Sequence, residues 1–465
     1  MSAITKRSFG KRHDVDMTQG NILKNIIFFA FPLMIGNLFQ QLYNLVDTWV
    51  IGQTGINDAF AAVGSVGPII NILIGFFLGL SSGTGVVISQ YYGAKDDKKV
   101  HDSVHTAIAL TLILGIVFTI LGLFFTPLML NFMLRGETGG VYPYAKKYLL
   151  IYFSGVIGLM VYNMASGILR AVGDSKRPFI FLLVSSVINI VLDLVFVFGF
   201  GMNVAGVALA TIIAQWVSAI LAVIVLLNTQ SNIKLRIKDI KIDFEILKKI
   251  IVIGIPAGLQ MAITAFSNVF VQSYIASANM DTTIALSGWA AYSKIDMFLF
   301  LPTQSIALGV TTFVGQNIGV HNEKRADKGT YLSFSLSLAV TAILIVIVMI
   351  ISPFLVAIIN KDPDVVECGT KLLRFMSPFY IFTSVNQIFA ASLRGRGNST
   401  APMIIMVTAF VGIRQLYLYV VSNFISNDLL AIAFGYPFGW FFCASIIFTY
   451  YNIYCRKSRK KAVSC

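Results

Sequence analysis

Leu169-Arg170-Ala171-Val172-Gly173-Asp174-Ser175 returns 224 residues later as Leu393-Arg394-Gly395-Arg396-Gly397-Asn398-Ser399, and each copy is followed by a proline, Pro178 or Pro402. Working outward from this pair, the echo continues. Ile22-Leu23-Lys24 returns as Ile246-Leu247-Lys248, Pro32 as Pro256 and Asn44 as Asn268, all at the same offset. Ser89-Gln90-Tyr91-Tyr92-Gly93 followed by Lys98-Lys99 returns as Gly315-Gln316-Asn317-Ile318-Gly319 followed by Lys324-Arg325, and Thr126-Pro127 as Ser352-Pro353, now shifted by 226. A register held so tightly along half a chain is an internal duplication.

The duplicated unit is apolar. Of 465 residues, 57% are hydrophobic and 12% charged, with mean hydropathy +0.79, whereas about a quarter of a soluble domain is charged. Runs long enough to cross a bilayer fall at 22–50, 60–90, 103–130, 147–168, 178–200 and 205–228, then at 248–276, 284–315, 329–359, 371–392, 401–422 and 429–454. In lipid each segment must pair its own backbone groups, so these twelve read as helices. Each unit holds an even number of spans, so both copies run in the same direction, related by an axis along the membrane normal. The expected fold is an all-α membrane protein of two six-helix bundles. Residues 1–20 form a cytoplasmic tail, 21–228 the first lobe, 229–247 a basic linker, 248–454 the second lobe and 455–465 a basic tail.

A net charge of +14 would fit nucleic acid, but the charges are confined to short segments between the apolar runs. With the N-terminus inside, 27 of the 35 Lys and Arg fall in cytoplasmic segments, six outside (Arg135 among them), and two within spans, Lys294 and Arg414. That is the positive-inside pattern of a multi-pass protein in the cytoplasmic (inner) membrane, with both termini cytoplasmic. The polar, basic start lacks the features of a cleaved signal peptide. Cys368, Cys443, Cys455 and Cys465 have no metal-ligand spacing and receive no role.

Pro32-Leu33-Met34-Ile35-Gly36-Asn37-Leu38-Phe39-Gln40-Gln41-Leu42-Tyr43-Asn44 with Val46-Asp47-Thr48 resembles the first helix of the multidrug and toxic-compound extrusion (MATE) family. Gln90-x-x-Gly93, Leu169-Arg170-x-x-Gly173-Asp174 and Leu393-Arg394-Gly395-x-Gly397-Asn398-Ser399-x-x-Pro402 belong to the same pattern, so the resemblance runs from Met17 to Tyr454. It implies a V-shaped pair of six-helix lobes around a large cavity. It also implies alternating access and export of organic, often cationic, compounds in exchange for Na⁺ or H⁺.

Coupled transport needs a group inside the membrane whose charge or ion occupancy changes. Asp47, Asp193 and Asp296 are the acids well inside spans, where a charge costs a few kcal/mol and is functional by default. Asn189 precedes Asp193 by four residues and shares its helix face, and Asn163 in the fourth span is a further candidate for one polar cluster with them. Carboxylate and amide oxygens suit a hard cation, so Asp47, Asp193 and Asn189 make a candidate Na⁺ site; two close carboxylates can equally carry one proton between them. Asp47 and Asp193 with these asparagines resemble the first-lobe cation site of the family, most closely its DinF-like branch. Another branch has an acid in the seventh span, where this chain has Gln260, Thr264 and Asn268. The eighth span offers Lys294 and Asp296, too close in sequence to face each other, and Asp296 could pair with Arg414. By analogy with the family, Tyr43, Tyr162, Met261 and Tyr292, with Lys294 and Asp296, are candidates to line a substrate cavity, where aromatic faces and thioethers accommodate flat cations.

A flippase for a lipid-linked sugar of the same superfamily is the alternative, but it needs a more cationic cavity than Lys294 and Arg414 provide. A sugar carrier of the major facilitator type would show Gly-x-x-x-Asp-Arg-x-Gly-Arg after its second span, where Gly93-Ala94-Lys95-Asp96-Asp97-Lys98-Lys99 stands. The chain has none of the hydrolase, zinc-protease or phosphate-loop signatures of an enzyme. The expected partners are small organic substrates and the bilayer, no cofactor beyond the coupling ion, no nucleic acid, and a monomeric chain. The duplication itself is unequal: at the repeat offset Asp47 faces Val271, and Asp193 faces Tyr417.

Overall fold

A chain solvated by lipid has no water to satisfy its backbone, and the computed structural model answers with helices throughout. It describes residues 15–134 and 139–463; residues 1–14 of the expected tail, Arg135 and Cys465 lie outside these. The first half comprises α1 (Ile22–Gly52), α2 (Asn57–Gly93), α3 (Asp97–Met133), α4 (Val141–Ser154), α5 (Val156–Ala171), α6 (Lys176–Leu194) with a π-helical turn Val195–Gly199, and α7 (Asn203–Asn228). The second comprises α8 (Phe244–Ala276), α9 (Thr282–Gly319), α10 (Glu323–Ile359), α11 (Pro363–Met376), α12 (Tyr380–Gly395), α13 (Thr400–Val407), α14 (Arg414–Val420), α15 (Leu429–Ala433) and α16 (Gly435–Val463). Among the described residues there is no strand.

Ten helical segments of the described residues are long and apolar enough to cross a bilayer, and α4 with α5, bent by 48°, make an eleventh if taken as one span. The run expected at 371–392 is broken in the matching place. A 3₁₀ turn at Ser377–Phe379 separates α11 from α12, as Gly155 separates α4 from α5, leaving two short helices, and α11 carries Asp364, Glu367, Lys371 and Arg374. By length and composition alone, ten or eleven of the expected spans are recognised among the described residues.

The sequence echo becomes a repeated set of helix ends. After α5 and α12 the backbone turns through the left-handed region at Gly173 (φ +85°) and Gly397 (φ +84°). The same two hydrogen bonds close each turn: Gly173 N–H to Arg170 O and Asp174 N–H to Leu169 O, then Gly397 N–H to Arg394 O and Asn398 N–H to Leu393 O. This is the glycine-terminated C-cap. After α2 and α9 the left-handed positions are Lys95 and His321, and the next helices start on Asp96, which accepts from Lys99 N–H, and on Asn322, which accepts from Arg325 N–H.

Apolar stripes also repeat. Val117, Ile120, Phe124 and Leu128 lie along one face of α3, and Ile343, Val346, Ile350 and Phe354, each 226 residues on, along one face of α10. Phe124 is 76% exposed and Ile350 71%; faces this apolar cannot be left in water and belong against lipid. Inside, small residues let backbones meet. A Cβ on Gly83 of α2 would stand 2.5 Å from Gly254 Cα of α8, the close approach that packing in lipid favours.

Two compact units emerge, and their boundary differs from the expected lobes. One unit holds Ile35–Gly254 with the described chain start before Met17; the other holds Met17–Met34 with the described chain from Ile255 onward. The division falls inside α1 and α8, beside the duplicated Pro32 and Pro256, rather than at 229–247. Proline interrupts a helix's hydrogen-bond ladder, so the two sides of the break can join different packings. The linker instead packs within the first unit: Leu235 N–H bonds Leu226 O at 2.9 Å, Arg236 N–H bonds His105 Nε2 at 3.0 Å, and Asp243 N–H bonds Thr106 Oγ1 at 3.0 Å.

Candidate functional site

In the first unit, α1 contributes Asp47, α6 contributes Asn189 and Asp193 one turn apart, and α7 contributes Thr211; all four are buried. Asn189 and Asp193 both stand beside the Asp47 carboxyl. Thr211 Oγ1 lies 3.5 Å from Asp47 Oδ2 and 2.9 Å from Val207 O. A hydroxyl has one proton, and in this arrangement the shorter contact holds it. Asp47 Oδ1, both Asp193 carboxyl oxygens and both polar atoms of the Asn189 amide are buried with no hydrogen-bond partner among the described residues. Each such atom costs about 1–3 kcal/mol when left unsatisfied. The donor set is carboxylate and amide oxygens, which fits a hard cation or a proton. A π-helical turn begins two residues after Asp193, the kind of local widening that recurs at functional positions.

Asn163 does not join them. Its side-chain amide N–H donates to Leu159 O at 2.9 Å in its own helix, and its main-chain carbonyl accepts from Ser81 Oγ at 2.6 Å. Tyrosines border the acids: Tyr43 and Tyr148 lie close enough to feel the Asp47 charge, Tyr152 stacks on Tyr148 with centroids 6.2 Å apart, and Tyr162 neighbours Tyr43. Thr211, Tyr148 and Tyr152 escaped the reading of the sequence. A Tyr pair four apart in Tyr148-Leu149-Leu150-Ile151-Tyr152 was the available signal; Thr211 had none.

The second unit is arranged differently. Asp296 does not pair with Arg414. Its Oδ1 accepts from Tyr292 Oη at 3.3 Å and from Tyr380 Oη, and the two hydroxyls are 3.3 Å apart. Around them pack Trp289, Phe300 and Trp440, with ring centroids 5.0 Å (Trp289–Tyr292), 5.6 Å (Phe300–Tyr380) and 5.5 Å (Tyr380–Trp440) apart. Arg414, directly after the π-helical turn Thr408–Ile413, donates to Ser267 Oγ and Asn268 Oδ1, each at 2.9 Å, with its guanidinium 4.6 Å from the Tyr436 ring centroid. One terminal nitrogen of the guanidinium is taken by neutral partners on α8, and Asp296 bonds the tyrosines instead. Lys294 is half-buried with no ion pair or hydrogen bond among the described residues, and Met261 stands outside the aromatic cluster. Of the seventh-span polar residues, Gln260 Oε1 accepts from Arg394 at 2.8 Å.

A family model described as MatE matches residues 32–195 and again 256–420, two stretches whose starts differ by the 224 residues of the repeat. The chain is 29% identical over 441 residues to the probable multidrug resistance protein YpnP of Bacillus subtilis, covering 94% of this chain and 97% of that protein. It is 27% identical over 427 residues to the probable multidrug resistance protein NorM of Thermotoga maritima, covering 89% of each. In fold it is similar to a solved outward-facing multidrug resistance MATE family transporter of the MOP superfamily, with TM-score 0.89 and 23% identity over 97% of this chain and 99% of that one.

Proposed function

This chain belongs to the MATE family, and on that footing we propose that it is a secondary active exporter of organic, often cationic, compounds, working by alternating access in exchange for Na⁺ or H⁺. The observation that carries the coupling is the set of five unsatisfied polar atoms on Asp47, Asn189 and Asp193, buried in one unit and facing one another. Two uncompensated carboxylates in such a place repel each other and lack solvent. A cation or proton between them relieves both costs, so ion occupancy controls the energy of this unit's packing. Asp296, held by two tyrosines among aromatic rings, is the group suited to a substrate's positive charge, with the rings lending cation–π contact. Lys294 and Met261 remain proposed lining residues, as do Tyr43, Tyr162 and Tyr292. Relatives named for drug resistance favour export over the lipid-linked sugar alternative.

The chain then lies in the cytoplasmic membrane as twelve spans, counting α4–α5 and α11–α12 as one each, with both termini cytoplasmic, and acts as a monomer. Dye efflux in everted vesicles, driven separately by a Na⁺ gradient and by a pH gradient, identifies the ion. Asp47→Asn and Asp193→Asn are expected to insert normally and to lose gradient-driven efflux. Full coupled efflux in either variant would remove the site assignment.

A further inference from the structure

We propose that His101, His105 and Asp239 form a divalent transition-metal site that staples the linker to α3, a site separate from the coupling acids. His101 and His105 stand four apart near the start of α3, so their rings share one face, with centroids 4.0 Å apart. Asp239 comes from the linker, in its single 3₁₀ turn Ile237–Asp239. One ligand atom from each of the three lies within 4.8 Å of the others. Ligands on a tetrahedral ion at 2.0–2.1 Å stand about 3.4 Å apart, so a closure of about an ångström completes the set.

The nitrogens are already oriented for this. His101 Nδ1 lies 3.6 Å from the Asp102 carboxylate while its Nε2 faces Asp239 Oδ2 at 3.4 Å. A carboxylate on one ring nitrogen with the other turned to the ion is the usual outer arrangement of a metal-bound imidazole. His105 Nδ1 is 2.7 Å from His101 O, so that nitrogen carries the proton and the lone pair resides on Nε2. Nε2 now accepts the Arg236 N–H; a metal would take the lone pair in place of that one neutral bond. Two cations compete for the carboxylates, Arg236 3.9 Å from Asp239 and Lys241 3.8 Å from Asp102. Both side chains are 67% exposed and can turn to solvent. Beside His101 opens a polar cavity of about 400 Å³ lined by Asp97, Ser231, Asn232 and Arg236, which gives the ion its path and room for a water as fourth ligand. Two imidazoles and a carboxylate suit Zn²⁺, Ni²⁺ or Co²⁺ rather than Mg²⁺ or Ca²⁺.

The second unit contains the control. At the offset of 226, His101 is replaced by Asp327 and His105 by Tyr331, and Asp327 is held by Arg396. Tag-free full-length protein in detergent, titrated with Co²⁺ and then Zn²⁺, should bind one equivalent with a visible Co²⁺ absorption band. His101→Ala and Asp239→Ala, both at partly exposed positions, should weaken binding at least about tenfold, and His321→Ala should not change it. Zn²⁺ should also shield Lys238 and Lys241 from trypsin in the parent and not in His101→Ala. Absence of stoichiometric binding, or equal affinity in His101→Ala and the parent, would mean that the histidines only hydrogen-bond the linker, and overturns the proposal.

Discussion

Thr211 shows how much one hydroxyl can matter beside two buried acids. Its proton serves Val207 O, yet it can turn to Asp47 Oδ2 at 3.5 Å when the carboxylate needs a donor. Thr211→Val keeps the shape and removes that option. A neutral hydrogen bond contributes about 1 kcal/mol, roughly fivefold in an equilibrium. The expected result is normal insertion and about a fivefold shift in the ion concentration that half-activates dye efflux, against complete loss in Asp47→Asn. An unchanged half-activating concentration would leave Thr211 with a purely helical role. Arg414 makes the complementary point. A buried guanidinium looks like a partner for a buried acid, but Arg414 donates to Ser267 and Asn268 and lies over the Tyr436 ring instead.

At the scale of elements, the duplicated turns and one ion pair carry separable predictions. Gly173 takes φ +85°, and a Cβ there would meet Val15 O at 2.4 Å. Left-handed backbone costs a non-glycine residue about 1–2 kcal/mol, so Gly173→Ala should lower the melting temperature in detergent. Gly397→Ala, at φ +84°, should carry the same backbone cost. The loop after α12 is tied to α10 by Arg396 and Asp327, whose side chains are 3% and 6% exposed, and Tyr451 of α16 donates to the same carboxylate at 3.0 Å. Removing one partner strands a buried charge, so Asp327→Asn should destabilise by about 3–5 kcal/mol. The double change Asp327→Leu with Arg396→Met should recover much of that loss. Thermal melts of the single and double variants read the coupling directly.

For the molecule as a whole, the distribution of Lys and Arg predicts orientation. Single cysteines placed at Lys98 and Lys324 in a background lacking the native thiols should label from the cytoplasmic face, and those at Lys146 and Lys361 from outside. Labelling of all four from one face would refute the twelve-span reading. Apolar run length, the repeat register and the basic loops were legible in the chain because lipid, backbone pairing and the positive-inside rule act on composition and spacing alone. Asp47, Asn189 and Asp193 were legible too, since polar groups in an apolar run announce themselves. Which of these polar groups meet depends on helix rotation and neighbours, which one span does not encode. Packing therefore decided that Asn163 turns to Leu159, that Asp296 belongs to Tyr292 and Tyr380, that the compact units divide beside Pro32 and Pro256, and that a linker acid lies against two histidines of α3.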